Sequence, residues 1–157
     1  MKKGFTFIET FFAVTIMLAA LVGVFALIQQ TTSFIPVAGQ KLVASYLVQE
    51  GIEIVRNIRE TNKINALDWD TGLTNCNLGC EADYNDLALT SYQNRFLYLA
   101  DSGFYQYGAT ATPTIYKRKI TITPQESNSL QVKVEVFWQE KGRNHLFSTL
   151  ENLYDWQ

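Results

Sequence analysis

Residues 2–28 read KKGFTFIETFFAVTIMLAALVGVFALI, and the rest of the chain is placed by how this stretch is read. From Phe11 to Ile28 it holds no charged residue, and as a helix that run spans about 27 Å, close to the hydrocarbon thickness of a bilayer. Lys2 and Lys3 precede it, and the next basic residue is Lys41. The positive-inside bias therefore keeps the N-terminus in the cytoplasm and exports the remainder. An ordinary secretory signal has a shorter apolar core followed by a small-x-small cleavage site; here the span runs into Gln29-Gln30-Thr31-Thr32. A cut would have to fall before the apolar run, and Gly4, without a side chain, lets a protease approach the backbone there.

Glu9 is the second anomaly, standing between Ile8 and the uncharged run. An ionised carboxylate in lipid costs about 2 to 3 kcal/mol, so something should compensate it. A cut after Gly4 would leave a new amine on Phe5, one helical turn from Glu9 in the same subunit or facing it from a neighbour. The uncut chain lacks that partner. The plainer alternative is a signal anchor with a chance glutamate.

The segment Lys2-Lys3-Gly4-Phe5-Thr6-Phe7-Ile8-Glu9 resembles the class III leader and mature start of type IV pilins and pseudopilins. The resemblance implies cleavage between Gly4 and Phe5 by a prepilin peptidase, N-methylation of Phe5, and Glu9 as the carboxylate that directs assembly. It divides the chain into a leader (1–4), a transmembrane and filament-core helix (5–30) and an exported pilin-like globular domain that includes the second half of the helix (31–157). The partners it implies are the peptidase, other pilin or pseudopilin subunits, a membrane assembly platform and the lipid bilayer. The location it implies is the cytoplasmic membrane, with the N-terminus inside, and then a cell-surface or periplasmic filament. The phrase Tyr46-Leu47-Val48-Gln49-Glu50-Gly51-Ile52-Glu53, with the strand pair ending in Trp138, is also similar to minor pilins of the pilus-modification or pseudopilin I type. Members of the family often carry a proline or glycine break in the membrane half of the helix; this chain has only Gly23 there. Pro36 lies beyond the span and should kink or briefly end the helix near residues 33–37.

Of the 157 residues, roughly 100 to 120 remain for one soluble domain. Its leading part continues as an amphipathic helix. Ala44, Leu47, Gly51, Ile54 and Ile58 recur at spacings of three and four, widened by Val48, Ile52 and Val55, against a polar face of Lys41, Ser45, Gln49, Glu53, Arg56 and Glu60. Asn62 is the expected stop. Residues 63–91 show no period and read as a connecting loop with short pieces of structure. Strands are expected at Arg95–Ala100 and Phe104–Tyr107 around an Asp101-Ser102-Gly103 turn, at Thr114–Thr123, at Leu130–Gln139 and at Leu146–Asn152. Tyr116, Arg118, Ile120 and Ile122 should share one face, and Leu130, Val132, Val134, Val136 and Trp138 another. The fold class is α+β, a long N-terminal helix packed on an antiparallel sheet of about four strands.

Cys76 and Cys80 are the only two cysteines, and in an exported loop a disulfide is favoured over free thiols. A metal reading would need more ligands than these. His145 is the single histidine and lacks visible triad partners. Asp68, Asp70, Glu81, Asp83 and Asp86 do not form an EF-hand, since Leu73 holds the glycine position and Gly79 that of the bidentate glutamate. No metal, cofactor or enzymatic activity is expected. The formal charge of −2 points to no polyanion partner. Nucleic acid enters only through Lys117, Arg118 and Lys119 near Tyr105, Tyr107 and Tyr116, and in a strand those basic residues alternate faces. A structural subunit is thus expected, and the rival from another class is a single-pass, signal-anchored binding protein that does not polymerise.

Overall fold

The computed structural model describes residue 4 and residues 6–108, 112–126 and 128–155. The chain falls into two compact units, Met1–Gln40 and Lys41–Gln157. Helix α1 (Phe7–Ile64) begins in the first and ends in the second. The strands, all in the second, are β1 (Cys80–Glu81), β2 (Thr90–Ser91), β3 (Tyr98–Leu99), β4 (Tyr105–Gln106), β5 (Thr112–Pro113), β6 (Lys117–Gln125), β7 (Ser129–Glu140) and β8 (Arg143–Tyr154). They form an antiparallel five-stranded sheet in the order β2-β1-β6-β7-β8 and a three-stranded one in the order β4-β3-β5. The class is α+β.

In the first unit every described side chain from Phe7 to Thr32 is exposed. Pro36 lies inside the helix, so of the two outcomes expected near residues 33–37, a kink or a brief end, the end does not occur. Proline removes one ladder bond, to the carbonyl four residues back, and here the helical turns on both sides carry the chain through that loss.

The second unit is built on the stripe read from residues 44–58. Ala44, Leu47, Val48, Ile52, Ile54, Val55 and Ile58 are all buried, and they share one core with Ile120, Ile122, Leu130, Val132, Val134, Val136 and Trp138. Gly51 lets the helix approach the sheet closely, because a Cβ there would sit 2.7 Å from Val134 Cγ1 and 3.2 Å from Arg118 Cδ. The alternation along β7 is the one expected from residues 130–139. A two-residue turn joins β7 to β8, with Lys141 at φ 48° and Gly142 at φ 75°, the left-handed pair that suits the twist of a tight hairpin.

The helix ends two residues beyond the expected stop. Leu67 N–H donates to the Asn62 carbonyl (2.9 Å) and Ala66 N–H to that of Lys63 (3.1 Å), with Ala66 left-handed at φ 55°. This is a Schellman closure in which alanine occupies the position glycine usually takes. Asn62 instead closes the following loop, its Nδ2 donating to the carbonyls of Trp69 (3.2 Å) and Thr71 (2.9 Å).

The segment 63–91 is a loop with two short pieces of structure, β1 and β2, which extend the main sheet through the pair Cys80↔Ile120. The hairpin expected at residues 95–107 forms, with Gly103 N–H on the Ala100 carbonyl, but it belongs to the small sheet and not to the main one. β6 also runs past Thr123, the expected end of that strand, through Pro124. The lone bridge at Ile120 leaves the outer edge of β6 open at Pro124, so no ladder donor is lost there.

Candidate functional site

The N-terminal segment is the first candidate. Phe5, expected as the cleavage and methylation residue, lies outside the described residues, as do Met1, Lys2 and Lys3. Gly4 is exposed, and nothing lies within 4 Å of where its Cβ would be. Thr6 caps α1: its carbonyl accepts the Glu9 and Thr10 N–H groups (3.1 and 3.2 Å), and its Oγ1 accepts Glu9 N–H at 3.4 Å. Thr6-Phe7-Ile8-Glu9 therefore matches a T-x-x-E capping box, a pattern legible in the sequence beside the reading given to Glu9. A carboxylate in the first turn is also favoured by the helix dipole.

Beyond Glu9 the helix is apolar over a span long enough to cross a membrane, with an 18-residue window of mean hydropathy 2.7 that is 0 % buried. Its hydroxyls are folded back on their own backbone: Thr10 donates to the Phe7 carbonyl, Thr15 to Phe11, Thr31 to Leu27 and Thr32 to Ile28, all at 2.8 to 2.9 Å. That internal satisfaction is what a hydrocarbon surrounding requires of a polar group. The chain thus carries one helix near its N-terminus suited to a single-pass anchor.

In the second unit Cys76 and Cys80 are joined as a disulfide with Cα atoms 5.3 Å apart, and both are buried. The Cys76 carbonyl accepts Ile122 N–H (3.1 Å), so the staple fixes the loop against β6. Gly79 between them runs at φ 110°, and a Cβ there would collide with the Lys119 side chain.

Arg118 lies on the core face as its alternation required, and it is wholly buried. Its Nη1 donates to Glu50 Oε1 (2.8 Å) and to the Leu47 carbonyl (3.2 Å), and its Nη2 to the Ala82 carbonyl (2.8 Å). The partner Glu50 could not be read from the sequence, since it stands on a helix 68 residues away. Lys117, Arg118 and Lys119 are accordingly no basic patch: the middle one is a core residue, and the outer two lie over the rings of Phe96 (4.4 Å) and Tyr92 (5.6 Å). Tyr116 is buried as well, and burial pushes its phenol up to about 12.

The acidic residues of the loop are divided among separate tasks. Glu81 pairs with Arg95 at 2.5 Å, while Asp83 accepts the Tyr107 N–H at 2.6 Å. Burial raises the Asp83 carboxyl, against the pull of that N–H. Among the described residues no group of three or more His, Cys, Asp or Glu is placed to hold a metal ion. His145 stacks on Trp138 (5.2 Å between centroids) at one wall of a groove of about 640 Å³, whose other wall is Tyr92, Asn94, Phe96 and Lys117. Among the described residues no acidic one lines that groove to complete a triad with His145.

Fold and segment together define a class: an α+β domain carried on an N-terminal helix of membrane length. No family model, curated protein or solved structure matches this chain.

Proposed function

We propose that this chain is a type IV pilin-like structural subunit, a minor pilin or pseudopilin. In this reading it is inserted in the cytoplasmic membrane, cut between Gly4 and Phe5 by a prepilin peptidase and N-methylated on Phe5. It is then packed through its apolar helix into a type IV pilus or a type II secretion pseudopilus. The observation that carries the reading is a single carboxylate, Glu9, in the first turn of a helix whose following apolar surface is wholly uncovered. A bare apolar helix is stable in lipid or against copies of itself, and the amine that cleavage would free on Phe5 would give the acid at its start a cation to pair with. Cleavage would remove Lys2 and Lys3 and leave 11 of the 13 basic residues against 15 acidic ones before the new amine is counted.

Mass spectrometry of the protein extracted from membranes that contain the peptidase tests this directly: the expected species begins at methylated Phe5, and an intact Met1 would overturn the reading. In the same cells Glu9→Ala should be processed normally yet enter filaments poorly. The 640 Å³ groove favours one second reading, a signal-anchored binding protein that never polymerises. That protein would keep Met1 and remain in the membrane.

A further inference from the structure

The outward face of the main sheet ends in the groove that His145 borders. Lys117 stands directly opposite Phe137 across β6 and β7, and Gln139 opposite Asn144 across β7 and β8. By alternation Phe137 and Gln139 share the face turned away from the core, while Val136 between them and the helix is buried. All four line the groove. Phe96 forms the facing wall, 47 % exposed, with the Lys117 ammonium 4.4 Å from the centre of its ring.

The polar groups here are set as donors. Asn94, left-handed at φ 60°, turns its amide so that Oδ1 accepts from both Tyr92 Oη (3.0 Å) and Lys117 Nζ (3.2 Å). A carbonyl oxygen has two lone pairs, so this one is fully used. The orientation of the amide is thereby fixed, and its Nδ2 has no acceptor among the described residues. Lys117 uses one of its donors in that contact and pairs with no carboxylate among the described residues.

Exposed rings, amides and one ammonium without an acid select among occupants. A wholly apolar chain would bury the amides of Asn94, Gln139 and Asn144 without partners, which is costly. A nucleic-acid strand needs a row of cations along its phosphates, and Lys117 is the only lysine or arginine among the described lining residues. An extended peptide is held by main-chain hydrogen bonds along a strand edge, whereas these donors are side chains. A sugar ring that bears a carboxylate meets all three features. Its C–H face lies on aromatic rings, planar amides bridge its hydroxyls, and an ammonium pairs with its acid.

We propose that this groove is a binding site for carboxylate-bearing saccharides, with Phe96 and Phe137 as the platform, the amides of Asn94, Gln139 and Asn144 on the hydroxyls and Lys117 on the acid. Its volume of about 640 Å³ lies within the range of sites that take small organic ligands. The assignment holds for a polymerised subunit and an anchored monomer alike, so it rests on neither reading, and its test does not depend on cleavage after Gly4.

The full chain, purified in a detergent without a sugar headgroup, is tested against immobilised neutral and carboxylate-bearing oligosaccharides, with oligothymidylate and acidic peptides alongside. The carboxylate-bearing saccharides should bind about tenfold more tightly than their neutral counterparts. Lys117→Gln, which keeps a donor toward Asn94, should erase that preference and leave neutral saccharides unchanged. Phe96→Ala should weaken both, and should it fail to fold, the Lys117→Gln comparison alone decides. Lys133→Gln removes a charge from the same sheet face outside the groove and should change neither. Binding of no saccharide, equal binding of neutral and acidic ones, or a preference lost equally in Lys133→Gln would overturn the proposal. Tighter capture of oligothymidylate or of the peptides would overturn it as well.

Discussion

At Glu9 two physical roles coincide, and they respond differently to substitution. As the last residue of a T-x-x-E pattern it suits a helix start, a role that glutamine performs as well as glutamate. As a charge partner for an amine it depends on ionisation, which glutamine lacks. Glu9→Gln should therefore leave helix content and peptidase cleavage unchanged while lowering filament incorporation as far as Glu9→Ala does. Incorporation of the Gln variant at the wild-type level, scored in sheared filament fractions, would make capping the whole role of this residue. Glu50 presents a similar division within the folded domain. Its partner Arg118 is entirely buried while Glu50 keeps some contact with water, with side-chain exposures of 0 % and 27 %. Loss of the acid therefore strands the cation and not the reverse. Glu50→Ala should destabilise the domain by about 3 kcal/mol, and Glu50→Gln, which still offers an acceptor, by roughly half as much. Thermal melts should rank the two in that order.

At the scale of elements, the end of α1 carries a strain that a single change relieves. Ala66 holds a left-handed φ of 55° in the Schellman closure, where a Cβ costs about 1 kcal/mol. Ala66→Gly should gain roughly 0.5 kcal/mol after the extra freedom glycine has in the unfolded chain is subtracted, visible as a small rise in denaturation midpoint. This closure was hidden in the sequence because alanine gives no stop signal, whereas Asn62 does and was read in its place. The long, regular elements were legible for the opposite reason: the stripe at residues 44–58 and the alternation at residues 130–139 follow one period over many residues. β1 and β2 were not legible, being two residues each and held in place by the disulfide and the pairing Cys80↔Ile120 rather than by any local pattern. Outside the N-terminal segment, the sequence placed the disulfide pair and the inward face of Arg118. It could not supply Glu50, because a contact between a helix and a distant strand leaves no trace in spacing.

At the scale of the whole molecule, the phenols at the core margin tie the stability of the second unit to alkaline pH. Burial raises Tyr107, Tyr92 and Tyr105 above the ordinary phenol value, and it pushes Tyr116 up to about 12. Tyr107 is held most firmly, its Oη donating to the Arg118 carbonyl at 3.1 Å. In the unfolded chain each phenol ionises near its ordinary value of about 10, whereas in the folded chain it stays protonated to higher pH. The folded state therefore binds more protons across that window, and stability falls as pH rises through it. The contribution is complete below about pH 10 and is lost as pH climbs toward 12. Denaturant midpoints should decline between those limits, and absorbance near 295 nm should show the buried phenols ionising together with unfolding and not ahead of it. Tyr107→Phe removes the most strongly held of these protons at the cost of one hydrogen bond. That variant should start from a lower midpoint at pH 8 and lose less between pH 10 and 12; a decline as steep as that of the parent would mean that Tyr107 contributes nothing to the alkaline transition.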